Sequence, residues 1–121
     1  WFLKATNNDY APSQYMIGLM YHQGLGVSIN FERARLWFLK AAKQGYANAQ
    51  FMYAYMIQSG EGEKSDPSRA MVWALVAEMN GKTDSVAITV PASMTMSELE
   101  VNTAEKIANE CFQSNYQSCP D

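Results

Sequence analysis

A five-residue run, Trp-Phe-Leu-Lys-Ala, stands at Trp1–Ala5 and again at Trp37–Ala41, and a weaker copy keeps Trp73, Leu75 and Ala77. The spacing is 36 residues each time, from 1 to 37 and from 37 to 73. A fixed period in the range of about 20–50 residues marks a repeat architecture, in which each unit buries its apolar face only against the next. Between residues 1–36 and 37–72 there are fourteen identities, mostly Trp, Ala, Gly, Gln, Met and Tyr. Small residues at fixed helical places let paired helices approach closely. A large aromatic at another fixed place fills the gap between pairs.

Within that period the helices have readable ends. Residues 1–8 read as the last turns of a helix, and Asn7-Asn8-Asp9 as a turn. Ala11–Gln23 is helical in pattern, with Ile17, Gly18 and Tyr21 on one face and Pro12 tolerated in the first turn. Gly24 and Gly26 follow, and Asn30 is placed to cap a helix running to about Lys43, with Ala34, Trp37, Phe38 and Ala41 inward and Gly45 ending it. The next unit repeats the plan: a helix over Ala47–Gln58, Gly60 and Gly62, then Asp66-Pro67 opening a helix to about Asn80, ended by Gly81. Beyond it the pattern changes. Thr83–Val90 is rich in β-branched residues and reads as a short irregular helix or turn broken by Pro91. Thr95 and Glu98 have capping-box spacing. A last helix to about Gln113 then has Leu99, Ala104, Ile107, Ala108 and Cys111 as its apolar stripe and Glu98, Glu100, Glu105 and Glu110 outward.

Bulk properties narrow the class. In 121 residues there is room for two to three such units, close to the minimum that is stable alone. Apolar residues make up 48% and charged ones 17%, which is a folded composition. The net charge of −3 comes with no basic stripe, which argues against nucleic acid and anionic membrane as partners. No apolar run reaches the roughly 18 residues of a membrane span. The chain opens inside a repeat without Met, as expected of a piece of a longer protein.

Tyr10-Ala11-Pro12-Ser13-Gln14-Tyr15-Met16-Ile17-Gly18-Leu19-Met20-Tyr21 resembles the first helix of a Sel-one-like repeat. Gly24-Leu25-Gly26-Val27 resembles that family's Gly-x-Gly-Val loop, and Ala34, Trp37, Lys40-Ala41-Ala42 and Gln44-Gly45 its second helix. Asn30 stands where Asp is usual, and Glu63 replaces the loop Val in the second unit. Met94-Thr95 and the helix carrying Ala104 and Ala108 resemble the C-terminal cap of bacterial members. The resemblance implies an all-α fold, a right-handed α–α superhelix (a tetratricopeptide-like solenoid) of about two repeats plus a capping helix. Residues 1–82 would form the repeats, as a partial first unit, one complete unit and part of the next, and 83–121 the cap helix and tail. It also implies a non-catalytic scaffold for protein or peptide partners, with no cofactor. The alternative is a cell-wall-related or β-lactam-binding hydrolase of the cysteine-containing repeat type.

Chemistry-bearing residues are few. His22 is the sole histidine, so a histidine-rich metal site is excluded, and it reads as a helix-end surface residue. The Gly-x-Gly pairs follow helices and lack the Lys-Ser/Thr of a phosphate loop, so they read as turns. Glu61, Glu63 and Asp66 share a loop without EF-hand spacing and read as solvated, with Asp66 a cap. Trp1, Trp37 and Trp73 recur at the repeat period and read as core. First helices line the concave side of a solenoid. That side makes Tyr15, Leu19, Gln23, Phe51, Tyr55 and Ser59 the candidate partner-binding residues, with Met16 and Met52 either there or in the core between repeats. Trp1, Phe2 and Leu3 would leave an open apolar N-terminal end, a route to self-association. Cys111 and Cys119 lie eight residues apart, too far for a Cys-x-x-Cys redox centre. If the tail folds back they form a disulfide, closing a loop worth roughly 2.5 kcal/mol on the chain-entropy account. That pairing places the chain in the periplasm or outside a bacterium; reduced thiols would place it in the cytoplasm.

Overall fold

The computed structural model describes residues 11–61 and 64–120. Six α-helices make up the described chain: α1 (Ala11–Gln23), α2 (Phe31–Ala42), α3 (Ala47–Ser59), α4 (Pro67–Met79), α5 (Val86–Met94) and α6 (Glu98–Gln113), with a single 3₁₀ turn, Thr83–Ser85, leading into α5. Each of α1 to α4 packs on the next, so the fold is an α-solenoid of stacked helix pairs. Helix α4 also carries α5 and α6, and it is buried nearly all round: Ala70, Met71, Val72, Trp73, Ala74, Val76 and Ala77 are all inside.

The helix starts recur with the period. The Asn30 side chain accepts from the Arg33 N–H at 3.1 Å, and Asp66, 36 residues on, accepts from the Arg69 N–H at 3.2 Å with Pro67 in the first turn. Each cap satisfies a backbone donor that the helix itself leaves unpaired. Helix α3 ends at Gly60, whose φ of 77° is the left-handed conformation in which glycine has no side chain to clash.

Two buried clusters form the core. One runs through α2, α3 and α4 and includes Ala34, Phe38, Tyr53, Met56 and Trp73; the other joins α4 to α6 through Val72, Val76, Ala104, Ala108 and Cys111. The close approach of α1 to α2 depends on Gly18, because a Cβ there would lie 2.6 Å from the Phe38 ring. In the second unit Ala54 and Ala74 hold the corresponding places, so bulk lost from one helix is returned on the other. Side-chain amides, two of them buried (Gln14 and Gln50), tie the stack together. Gln44 donates to Gln14 at 2.7 Å, and Asn80, 36 residues after Gln44, donates to Gln50 and to the Gly45 carbonyl. Gln50 in turn donates to the Ala42 carbonyl at 3.0 Å, satisfying a group at the end of the preceding unit's helix.

Several expectations change. Pro91 does not break the segment after Gly81 but sits inside α5. Its ring is exposed, and Ile88, Thr89 and Ala92 are buried, so packing on α4 and the neighbouring helices outweighs the missing backbone donor. The capping box is Ser97 with Glu100, not Thr95 with Glu98; Thr95 instead bonds the Ala92 carbonyl at the end of α5. Leu99, 75% exposed, is not in the buried stripe of α6, because α6 begins only at Glu98 and its first turn lies clear of the core. Trp73 is fully buried, whereas Trp37 is half-exposed beneath Lys40, whose Nζ lies 4.4 Å from the ring centre. The neighbours make the difference: Val76 replaces Lys40 one repeat on. Trp1, Phe2 and Leu3 lie outside the described residues.

Candidate partner-binding face

Helices α1 and α3 carry the candidate residues at matched register. Tyr15 is half-buried between the rings of Phe38, 5.7 Å away, and Tyr46, 5.3 Å away. Burial, with the neighbouring Tyr46 second, raises the pKa of its hydroxyl. Phe51 takes the same place one unit later, and there Lys82 lies over the ring at 5.4 Å. Tyr46 and Lys82 are themselves 36 residues apart, so each unit covers its aromatic with a residue from the turn after its second helix. Leu19 is half-buried against the core, and Tyr55, its counterpart, is 44% exposed. Gln23 and Ser59 are exposed at the ends of their helices. Met16 is exposed and Met52 half-buried, so neither is enclosed core.

His22 does not behave as a surface residue. Its ring packs among Phe31 at 5.6 Å, Phe38 at 6.3 Å and Tyr55 at 6.4 Å, and its Nε2 meets Glu61 Oε1 at 3.0 Å. The same carboxylate oxygen accepts from the Ser59 hydroxyl at 3.2 Å. Glu61 is therefore not simply solvated; it joins the end of α1 to the loop after α3, across the boundary between units. Periodicity could not reveal this pair, because position 25, which matches Glu61, holds Leu. The available signal was a lone imidazole and a loop carboxylate at the same end of neighbouring units. Chemically the order is hydroxyl, carboxylate, imidazole: Ser59 bonds Glu61 rather than the ring nitrogen, so His22 is not placed to take the Ser59 proton. Among the described residues no group of three or more His, Cys, Asp or Glu side chains could hold a metal ion.

Behind this face, Cys111 and Cys119 are joined as a disulfide that folds the tail back from α6. No helix among the described residues is long and apolar enough to cross a membrane.

Comparison with known proteins agrees with this geometry. A search of curated proteins found no significant match. Among solved structures, the chain is similar to a protective antigen of uropathogenic Escherichia coli displaying an SLR fold, with a TM-score of 0.87 and 25% identity over 96% of this chain and 25% of that one. It is also similar to a Sel1 repeat protein from Oxalobacter formigenes, with a TM-score of 0.70 and 32% identity over 74% of this chain and 37% of that one. The chain thus spans about a quarter and somewhat over a third of the lengths of these two. The Sel1 repeat model matches residues 11–46 and again 47–82, each match one α–α pair. Sel1 repeats are in general protein-interaction modules, and the chain belongs to the Sel1 repeat family.

Proposed function

We propose that this chain is a non-catalytic scaffold that takes a partner protein or peptide on the α1–α3 face. The supporting observation is the paired arrangement of Tyr15 with Leu19 and Phe51 with Tyr55, repeated along one side of the stack and only partly covered. Aromatic and apolar groups held half-exposed on rigid helices lose little conformational entropy on binding, which suits them to anchor a partner. Gln23 and Ser59 form the polar rim at one end of that face. The disulfide and the similarity to a bacterial protective antigen support a periplasmic or secreted location.

The test is partner capture by chemical crosslinking from the native envelope, with Leu19→Glu and Tyr55→Glu compared with the unaltered protein. The proposal expects both substitutions to abolish capture of the same partner while helical circular dichroism is retained. Undiminished capture would remove the assignment of this face.

A further inference from the structure

After α6 the chain turns through Asn115 and Tyr116, both with positive φ, 57° and 67°. The Tyr116 ring lies against Gly45, so closely that a Cβ on Gly45 would stand 2.9 Å from it. Three residues later Cys119 touches both core clusters. Pro120 then places its carbonyl oxygen 2.7 Å from Trp73 Nε1, which donates to it. The tail thus runs from the corner between α2 and α3 onto the middle of α4. It covers a tryptophan whose ring is otherwise packed on Tyr53, edge to face at 5.5 Å.

The turn bonds back to α6, with Tyr116 N–H to the Cys111 carbonyl at 2.8 Å and Asn115 N–H to the Phe112 carbonyl; past it the tail has Gln117 N–H to the Ser114 carbonyl and Ser118 N–H to the Ser114 hydroxyl. It is seated by what it lies on and by the Cys111–Cys119 bond. The tail lines one of two cavities that share a wall on α4. One, of about 450 Å³, lies between α4 and α6 and includes Val72, Ile107 and Pro120 itself; the other, of about 330 Å³, lies among Leu36, Leu39 and Tyr53. Arg69 lines both.

We propose that residues 114–120 are a resident peptide in a binding slot, and that reducing Cys111–Cys119 vacates it for a partner segment that presents a backbone carbonyl to Trp73. A dithiol reductant supplies two electrons and two protons. The S–S bond breaks, each cysteine ends as a thiol, and the reductant ends as a disulfide. The tail is then no longer clamped to α6 at Cys119, and its departure leaves the Trp73 N–H without its acceptor. A buried donor so exposed favours any chain that returns a carbonyl to it. With Pro120 gone, the cavity between α4 and α6 loses the tail residue that lines it and opens toward Trp73. The occupant the slot fits is a segment like the tail: short, turned, with a small apolar side chain before a proline. This site is separate from the α1–α3 face.

Two readouts test it on the full chain. The first is hydrogen exchange of the Trp73 indole, assigned with Trp73→Phe, before and after treatment with dithiothreitol. The second is binding of a labelled synthetic peptide, Gln113–Asp121 carrying Cys119→Ser. On reduction, indole exchange is expected to rise about tenfold, the change that losing one hydrogen bond of ordinary net strength gives. The peptide is expected to bind the reduced protein and not the oxidised one. Unchanged exchange, or a peptide that binds neither form or both equally, overturns the proposal. If reduction costs helical structure, Tyr116→Ala with the disulfide intact carries the test instead. That variant should bind the peptide more tightly than the unaltered protein, and equal binding overturns the idea. Substitutions at Leu19 and Tyr55 should move neither readout, so failure here and failure of the partner face are distinguishable.

Discussion

Three residues show how locally the chemistry is set. Glu100 is fully exposed, yet its carboxylate accepts from the Ser97 N–H at 3.0 Å. That backbone bond first, and the Ser97 side chain second, hold its pKa below the usual carboxylate range. The stabilisation is present above the ordinary range and is lost as pH falls through the lowered value. Ser97→Ala should move the Glu100 titration midpoint upward when followed by carboxyl NMR; an unmoved midpoint would count against the capping box. Tyr15 runs the opposite way. Its raised pKa favours the neutral phenol in the fold, so its contribution is intact below the ordinary tyrosine range and fades as pH rises through the raised value. Tyr46→Phe should bring the Tyr15 midpoint part of the way back, leaving the larger burial effect in place. At Gly18, an added methyl meets the Phe38 ring, so Gly18→Ala should cost about 1–3 kcal/mol and Phe38→Ala about 3–5 kcal/mol. The double variant recreates the Ala54–Ala74 pairing and should cost less than the sum, as denaturant unfolding would show. Strict additivity would mean the two sites are not coupled.

At the scale of elements, the caps carry comparable weights in both units. Asn30→Ala and Asp66→Ala should each lower stability by about 1 kcal/mol in urea unfolding, since each leaves a helix-end donor unpaired. Much of this level was legible beforehand. The period, the two caps, the terminating glycines and the first four helices follow from spacing and residue type, because repeated units must solve the same packing problem. Three features were not. The run of α5 through Pro91 was hidden: a short irregular helix or turn was legible before it, but Pro91 signals a break, and only burial in the assembled stack overrides that signal. The fates of Trp37 and Trp73 diverge although their register is the same, because the tail and Val76 enclose one while Lys40 roofs the other. The His22–Glu61 bond joins positions that do not correspond between units, so no comparison of repeats could expose it.

Across the whole molecule, the units are coupled by the shared apolar cluster and by a few hydrogen bonds: Gln50 to Ala42, Asn80 to Gly45, and His22 to Glu61. The last is partly screened by solvent, with side-chain exposures of 15% and 24%, so its deletion should cost no more than about 1 kcal/mol. Its effect should be regional. Glu61→Gln is expected to speed amide exchange in α1 and leave α6 unchanged, since neighbouring units in a solenoid communicate only through shared interfaces. Equal acceleration at both ends would show instead that the stack opens as one body. Helix α4 stands apart from this chain of pairwise links, being enclosed by α3, α5, α6 and the tail. That enclosure has a mechanical consequence. Under tension the described helices would part from their neighbours pair by pair, and α4, held by three helices and the tail, would be the knot that yields last.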